Sequence, residues 1–174
     1  YQTNLQITDL TTSQKLNEDL TTFSVIHNTS FFKGKNIISV SDPGAQADIV
    51  ILPETKKGRR QIRPTIDIIA YDKKNIYLCE VKDSINKINS DKNKLEKFYD
   101  DLSYQIATKR LIKTFDKGEK KIKLCLVFVC QSKEKLNTWI NATNLSKIDF
   151  LCVFIEDTQQ FLEITKEKKE IEKF

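Results

Sequence analysis

Residues 64–84 read PTIDIIAYDKKNIYLCEVKDS, from Pro64 to Ser84. Thr65 to Tyr71 is rich in β-branched residues and predicts one strand; Ile76 to Lys82 is apolar until Glu80 and Lys82 and predicts another. Asp72-Lys73-Lys74-Asn75 between them is turn chemistry, so the stretch reads as an antiparallel hairpin. A symmetric four-residue turn pairs Tyr71 with Ile76, Ile69 with Leu78 and Asp67 with Glu80. Two carboxylates then face each other with Cβ atoms roughly 5 Å apart. The period of two puts Lys82 on the same face as Glu80.

Like charges opposed across a sheet are destabilising, and buried carboxylates ordinarily need a partner charge or a metal. A hard divalent cation such as Mg²⁺ suits two carboxylates, because it takes oxygen ligands and shares them with substrate phosphates. Lys82 beside it could orient an attacking water or stabilise charge on a phosphate. The chemistry suggested is metal-assisted phosphodiester hydrolysis.

Asp67 followed by Glu80-Val81-Lys82 at the end of the next strand resembles the signature of the PD-(D/E)XK nuclease superfamily. The Glu80-x-Lys82 half matches as it stands; Pro64 lies three residues before the aspartate instead of beside it. The resemblance implies a restriction-endonuclease-like α/β fold, a mixed central sheet flanked by helices with an αβββαβ core. It also implies metal ligation by Asp67, Glu80 and the Val81 carbonyl, a catalytic Lys82, and Mg²⁺ as cofactor with Mn²⁺ able to substitute. The activity implied is endonucleolytic cleavage of DNA, of restriction or repair type. Two alternatives stand beside it: an RNA endonuclease resembling viral cap-snatching domains, and a catalytically silent nucleic-acid-binding module.

The 174 residues suit one domain with a real core, and 39% hydrophobic with 30% charged residues is a globular composition. No apolar run approaches the roughly 20 residues of a membrane span, and no secretory signal opens the chain. The chain begins at Tyr1 and holds no Met, which reads as a fragment of a longer protein. A net charge of +5 permits nucleic acid as partner. Cys79, Cys125, Cys130 and Cys152 sit in apolar runs without a C-x-x-C pair, which points to buried thiols in a reducing cytoplasm and away from zinc. A homodimer or an additional domain would agree with a sequence-specific cutter.

Outside the hairpin, a helix is expected from Thr12 or Ser13, carrying Leu16, Leu20 and Phe23 on its buried side. Glu18 on that helix and His27 near its end are candidate metal ligands by the resemblance, His27 as in the cap-snatching branch. Asn36 to Val40 and Ala47 to Leu52 read as strands, with Asp42 and Asp48 as further acids near the sheet. The basic run at Lys56, Lys57, Arg59, Arg60 and Arg63 enters the Asp67 strand and is a candidate grip on backbone phosphates. Asp91 to Phe115 reads as one long helix capped by Asp91, with Leu95, Phe98, Tyr99, Leu102 and Ile106 in its apolar stripe. Gln105 on it is a candidate nucleic-acid contact by the resemblance, and Lys109, standing where the family pattern has a Tyr, is a candidate phosphate contact by its charge. Lys121–Cys130 is expected as a central strand, Ser132 as the cap of a helix to Ala142, Asp149 to Glu156 as a strand, and Thr158 to Phe174 as a helix.

Overall fold

The computed structural model describes residues 29–40, 51 and 66–166. The expected N-terminal helix, the Ala47–Leu52 strand (except Ile51) and the basic run at 56–63 lie outside the described residues.

Among the described residues six strands form one mixed sheet in sequence order: β1 (Asn36–Val40), β2 (Ile68–Tyr71), β3 (Asn75–Lys82), β4 (Lys121–Cys130), β5 (Phe150–Ile155) and β6 (Gln160–Thr165). The first three run antiparallel, β3, β4 and β5 run parallel, and β6 returns antiparallel. Parallel neighbours need crossovers. Helices α1 (Ile88–Asp100) and α2 (Leu102–Lys113) supply the first, and α3 (Lys133–Ala142) the second. Both crossovers step the same way across the sheet, so the handedness rule sends their helices to one face. Ile88, Leu95, Phe98, Tyr104, Ile112 and Leu136 accordingly share a buried cluster with Ile76, Leu78, Leu124 and Leu126. The opposite face buries Phe32, Ile68, Tyr77, Cys79, Val81 and Val127. The mixed α/β class and the antiparallel-then-parallel order agree with the expected architecture.

The hairpin keeps the expected register, with Tyr71 opposite Ile76 and Ile69 opposite Leu78. Asp72 sets the turn: its Oδ1 accepts from the backbone N–H of Lys74 (2.9 Å) and Asn75 (2.8 Å), and its Oδ2 from the Tyr77 hydroxyl (2.6 Å). Burial pushes the Asp72 carboxyl up, but these hydrogen bonds to its charged form outweigh it and leave the pKa lowered. β4 spans the expected residues, and its continuous apolar run is explained by burial on both faces. Ser132 caps α3, its Oγ accepting from Lys135 N at 3.2 Å. The four cysteines are buried free thiols.

Two expectations are corrected. The single long helix is broken at Asp101, whose backbone is extended (φ −84°, ψ 106°). Its Oδ1 caps α2 by accepting from Ser103 N at 3.1 Å. The break shifts the helical phase, so Leu102 is 66% and Ile106 45% exposed, while Tyr104, Thr108 and Ile112 are buried. Secondly, the segment after β5 is strand rather than helix over Gln160–Thr165, where Phe161 and Ile164 are buried against β5. Gln159 reaches a left-handed conformation (φ 52°) in the intervening turn without the glycine or asparagine that usually signals one. Among the described residues no helix is long and apolar enough to cross a membrane.

Candidate active site

Asp67 stands one residue before β2, and Glu80, Val81 and Lys82 end β3. Alternation places Asp67, Glu80 and Lys82 on the face that carries Ile69, Ile76 and Leu78, the one covered by the helices. The backbone N–H of Val81 donates to Asp67 Oδ2 at 2.8 Å, which fixes that carboxylate against the end of β3. Asp67 and Glu80 are also close enough to share a hydrogen bond between their carboxyl groups. Glu80 is only 1% exposed. Burial first, then the adjacent Asp67, drives its pKa well above the ordinary 4.5, with Lys94 acting in the opposite sense.

Helix α1 completes the cluster. Lys82 Nζ lies 3.5 Å from Asp91 Oδ2, and Lys94 Nζ lies 3.1 Å from Glu80 Oε1. Neither carboxylate oxygen receives a well-directed hydrogen bond, so both contacts are ionic in character. Burial raises the Asp91 pKa, and the Lys82 ammonium partly offsets it. Three carboxylates thus meet two ammonium groups beneath the first turns of α1.

Asp91 begins no helix: α1 starts at Ile88, and Ser84 Oγ caps the preceding short turn by accepting from Asn86 N at 3.2 Å. The expected helix cap is instead a site residue. Lys94 carried no expectation at all. The spacing puts Ile88, Asp91, Leu95 and Phe98 on one helical stripe with Lys94 at its edge, but it does not say what that stripe meets. Only five residues, 83–87, separate β3 from α1, three of them a 3₁₀ turn, which brings its first turns over the carboxylates.

Among the described residues the carboxylates outnumber the ammonium groups, and with two poorly hydrogen-bonded buried oxygens they form a donor set that fits a hard oxygen-seeking cation. Such an ion keeps several waters and needs only one or two carboxylates. Among the described residues no group of three or more His, Cys, Asp or Glu side chains is arranged to hold an ion by itself.

No family model matches the chain, and no curated protein matches it. Among solved structures, the chain is similar to that of an XisH family protein from Nostoc punctiforme, at 11% identity. The match covers 83% of this chain and 94% of the other, with a TM-score of 0.33. At that score the two chain paths agree loosely, and no residue role is carried from one to the other.

Two further candidates, Gln105 and Lys109, stand away from this cluster. Gln105 Nε2 donates to the Tyr99 carbonyl at 2.6 Å, tying α2 back to the end of α1. Gln105 and Lys109 line a hollow with Lys121 and Lys123. Lys121 and Lys123 lie beside Asn75 and Tyr77 at the start of β3, about 10–16 Å along the strand from Glu80. Glu18, His27, Asp42, Asp48, Lys56, Lys57, Arg59, Arg60 and Arg63 lie outside the described residues.

Proposed function

We propose that the chain is a divalent-metal-dependent phosphodiesterase that cuts nucleic acid, with the cluster at the end of β3 as its active site. One observation carries the reading: Glu80 is buried directly beside Asp67, with Lys82 on the same face. A fold kept only for packing gains nothing by burying one acid directly against another. Asp67 and Glu80, joined by the Val81 carbonyl, would hold Mg²⁺ or Mn²⁺. Bound there, the ion would act as a Lewis acid on the scissile phosphate and lower the pKa of a bound water.

The chain's own residues do the rest. The Val81 N–H keeps Asp67 turned toward Glu80. Asp91 steadies the Lys82 ammonium from the helix side, so that Lys82 can orient a water or balance charge on the phosphate as the transition state forms. Lys94 neutralises Glu80 and offers a second cation for a phosphate oxygen entering beneath α1. DNA is the substrate class the resemblance favours.

The silent-module reading keeps one supporting observation, the Lys94 ammonium seated on Glu80. A cleavage assay separates the two. Labelled single- and double-stranded DNA and RNA are incubated with Mg²⁺ or Mn²⁺, and Lys82→Ala is run beside the unaltered chain. We expect metal-dependent cutting that falls ~100-fold or more in the variant. Absence of cutting on every substrate, or equal cutting by Lys82→Ala, would remove the active-site reading.

A further inference from the structure

A second charged feature lies at the opposite end of the sheet from Glu80. Two adjoining hollows of about 350 and 620 Å³ open there, and Lys109, Lys121 and Lys123 stand in the wall they share. Among the described residues eight lysines line the pair, against two acids, Asp149 and Glu119. Some of this charge is already engaged: Lys123 has Asp149 at 3.9 Å, and Lys147 has Asp100 at 2.6 Å. Glu119 is paired with Lys113 at 3.1 Å. No ion pair among the described residues engages Lys73, Lys74, Lys109 or Lys121.

These cations sit on a rigid base. The buried Lys120 ammonium donates to the carbonyls of Asp72 (2.7 Å) and Lys73 (3.1 Å) and to Asp116 Oδ2 (3.1 Å). The Lys121 N–H donates to the Lys74 carbonyl at 3.0 Å, stitching the β2–β3 turn to the start of β4. The Asp72 carboxylate fixes the same turn from within. Gathering like charges on an inflexible support costs free energy that an anion would relieve, and a support held in place beforehand lowers the entropic cost of binding that anion.

We infer that this lysine-walled pair of hollows is a binding site for the phosphate backbone of a nucleic acid, separate from the candidate active site. It rests on the proposed function only for the choice of polyanion. Concavity favours a strand with protruding phosphates over a lipid surface, which asks for a flat or convex basic face with apolar groups to insert. The exposed large apolar side chains among the described residues, Leu102, Ile106 and Phe115, line neither hollow. The separation from Glu80, about 10–16 Å along β3, corresponds to roughly three to five nucleotides of a strand at 3.4 Å each.

Salt-dependent binding tests it. The full chain in EDTA, where no cutting occurs, is titrated with labelled 30-mer duplex and single-stranded DNA between 50 and 200 mM salt, reading fluorescence anisotropy. Lys74→Gln/Lys109→Gln/Lys121→Gln is compared with Lys33→Gln/Lys133→Gln/Lys135→Gln, which removes equal charge elsewhere. The first triple should bind at least ~10-fold more weakly at the midpoint salt and lose about 2–3 from the slope of log K against log salt, ~0.9 per duplex phosphate contact. The second should stay close to the unaltered chain. Should the first triple unfold, Lys74→Glu on the exposed turn takes its place, with the same direction expected. If the two triples bind alike while the unaltered chain binds and cuts, this inference fails and the active site stands. If the unaltered chain binds no nucleic acid, the inference fails as well, and the cleavage assay judges the active site on its own.

Discussion

At Glu80 two demands conflict. The position is buried in an otherwise apolar strand, yet it carries a carboxyl beside another carboxyl, and among the described residues the Lys94 ammonium is the one that compensates. The raised pKa is the physical result, and it fixes the sign of a pH dependence. Below the ordinary glutamate value of 4.5 the group is protonated in folded and unfolded chains alike. As the pH rises above 4.5, the unfolded chain ionises while the folded chain retains its proton. The metal-free protein therefore loses stability from about pH 4.5 up to the raised folded pKa, and this loss levels off above it. Glu80→Gln keeps the shape and has nothing to ionise. In EDTA its melting temperature should exceed that of the unaltered chain near neutral pH, and the gap should close toward pH 4. A melting-temperature series that stays parallel for the two proteins would show that Glu80 is not held in its protonated form.

The element that places the site is α1, and its boundary with α2 shows how local chemistry overrides a periodic pattern. Leu95, Phe98, Leu102 and Ile106 continue a helical stripe in the sequence, but Asp101 interrupts it. Its side chain accepts from both the N–H (3.1 Å) and the hydroxyl (2.6 Å) of Ser103, a local arrangement that competes with continuing the helix. The stripe is then divided between two helices with different buried faces, and Leu102 and Ile106 are left exposed. Asp101→Ala removes the α2 cap and should cost about 1 kcal/mol, read as a lower denaturation midpoint at unchanged slope. Metal-dependent cleavage should not change, because the cluster lies under the other end of α1. A simultaneous loss of cleavage would mean that the α1–α2 junction positions Asp91 and Lys94.

For the whole molecule, the two ends of the sheet divide the chemistry. The C-terminal end of β3 gathers carboxylates, and its N-terminal end, with the start of β4, gathers lysines. An ion that binds only the folded arrangement at the acidic end must stabilise the protein by mass action. At a Mg²⁺ concentration 100-fold above its dissociation constant the gain is about 2.7 kcal/mol, or roughly 5–10 °C in melting temperature for a chain of this size. Asp67→Asn should abolish most of that shift in a thermal scan. An equal shift in the variant would place the ion elsewhere. Screening predicts the reverse behaviour at the basic end, where added salt weakens nucleic-acid binding.

What the sequence determined by itself is local. β-branched runs around an Asp-Lys-Lys-Asn turn are sufficient for a hairpin, and turn length plus period-two alternation then fix Asp67, Glu80 and Lys82 on one face. The apolar run of β4 and the Ser132 cap are legible for the same reason, since neighbours in the chain supply the signal. The β6 strand was not, because its turn lacks the usual residues and its pairing with β5 is a long-range fact. The placement of Gln105 and Lys109 far from Glu80, and of Asp91 and Lys94 against the carboxylates, was decided only by tertiary structure. Which face of a helix meets the sheet, and which end of a strand it covers, depends on crossover handedness and on where the helix breaks. Neither is written in the spacing of the residues that end up in contact.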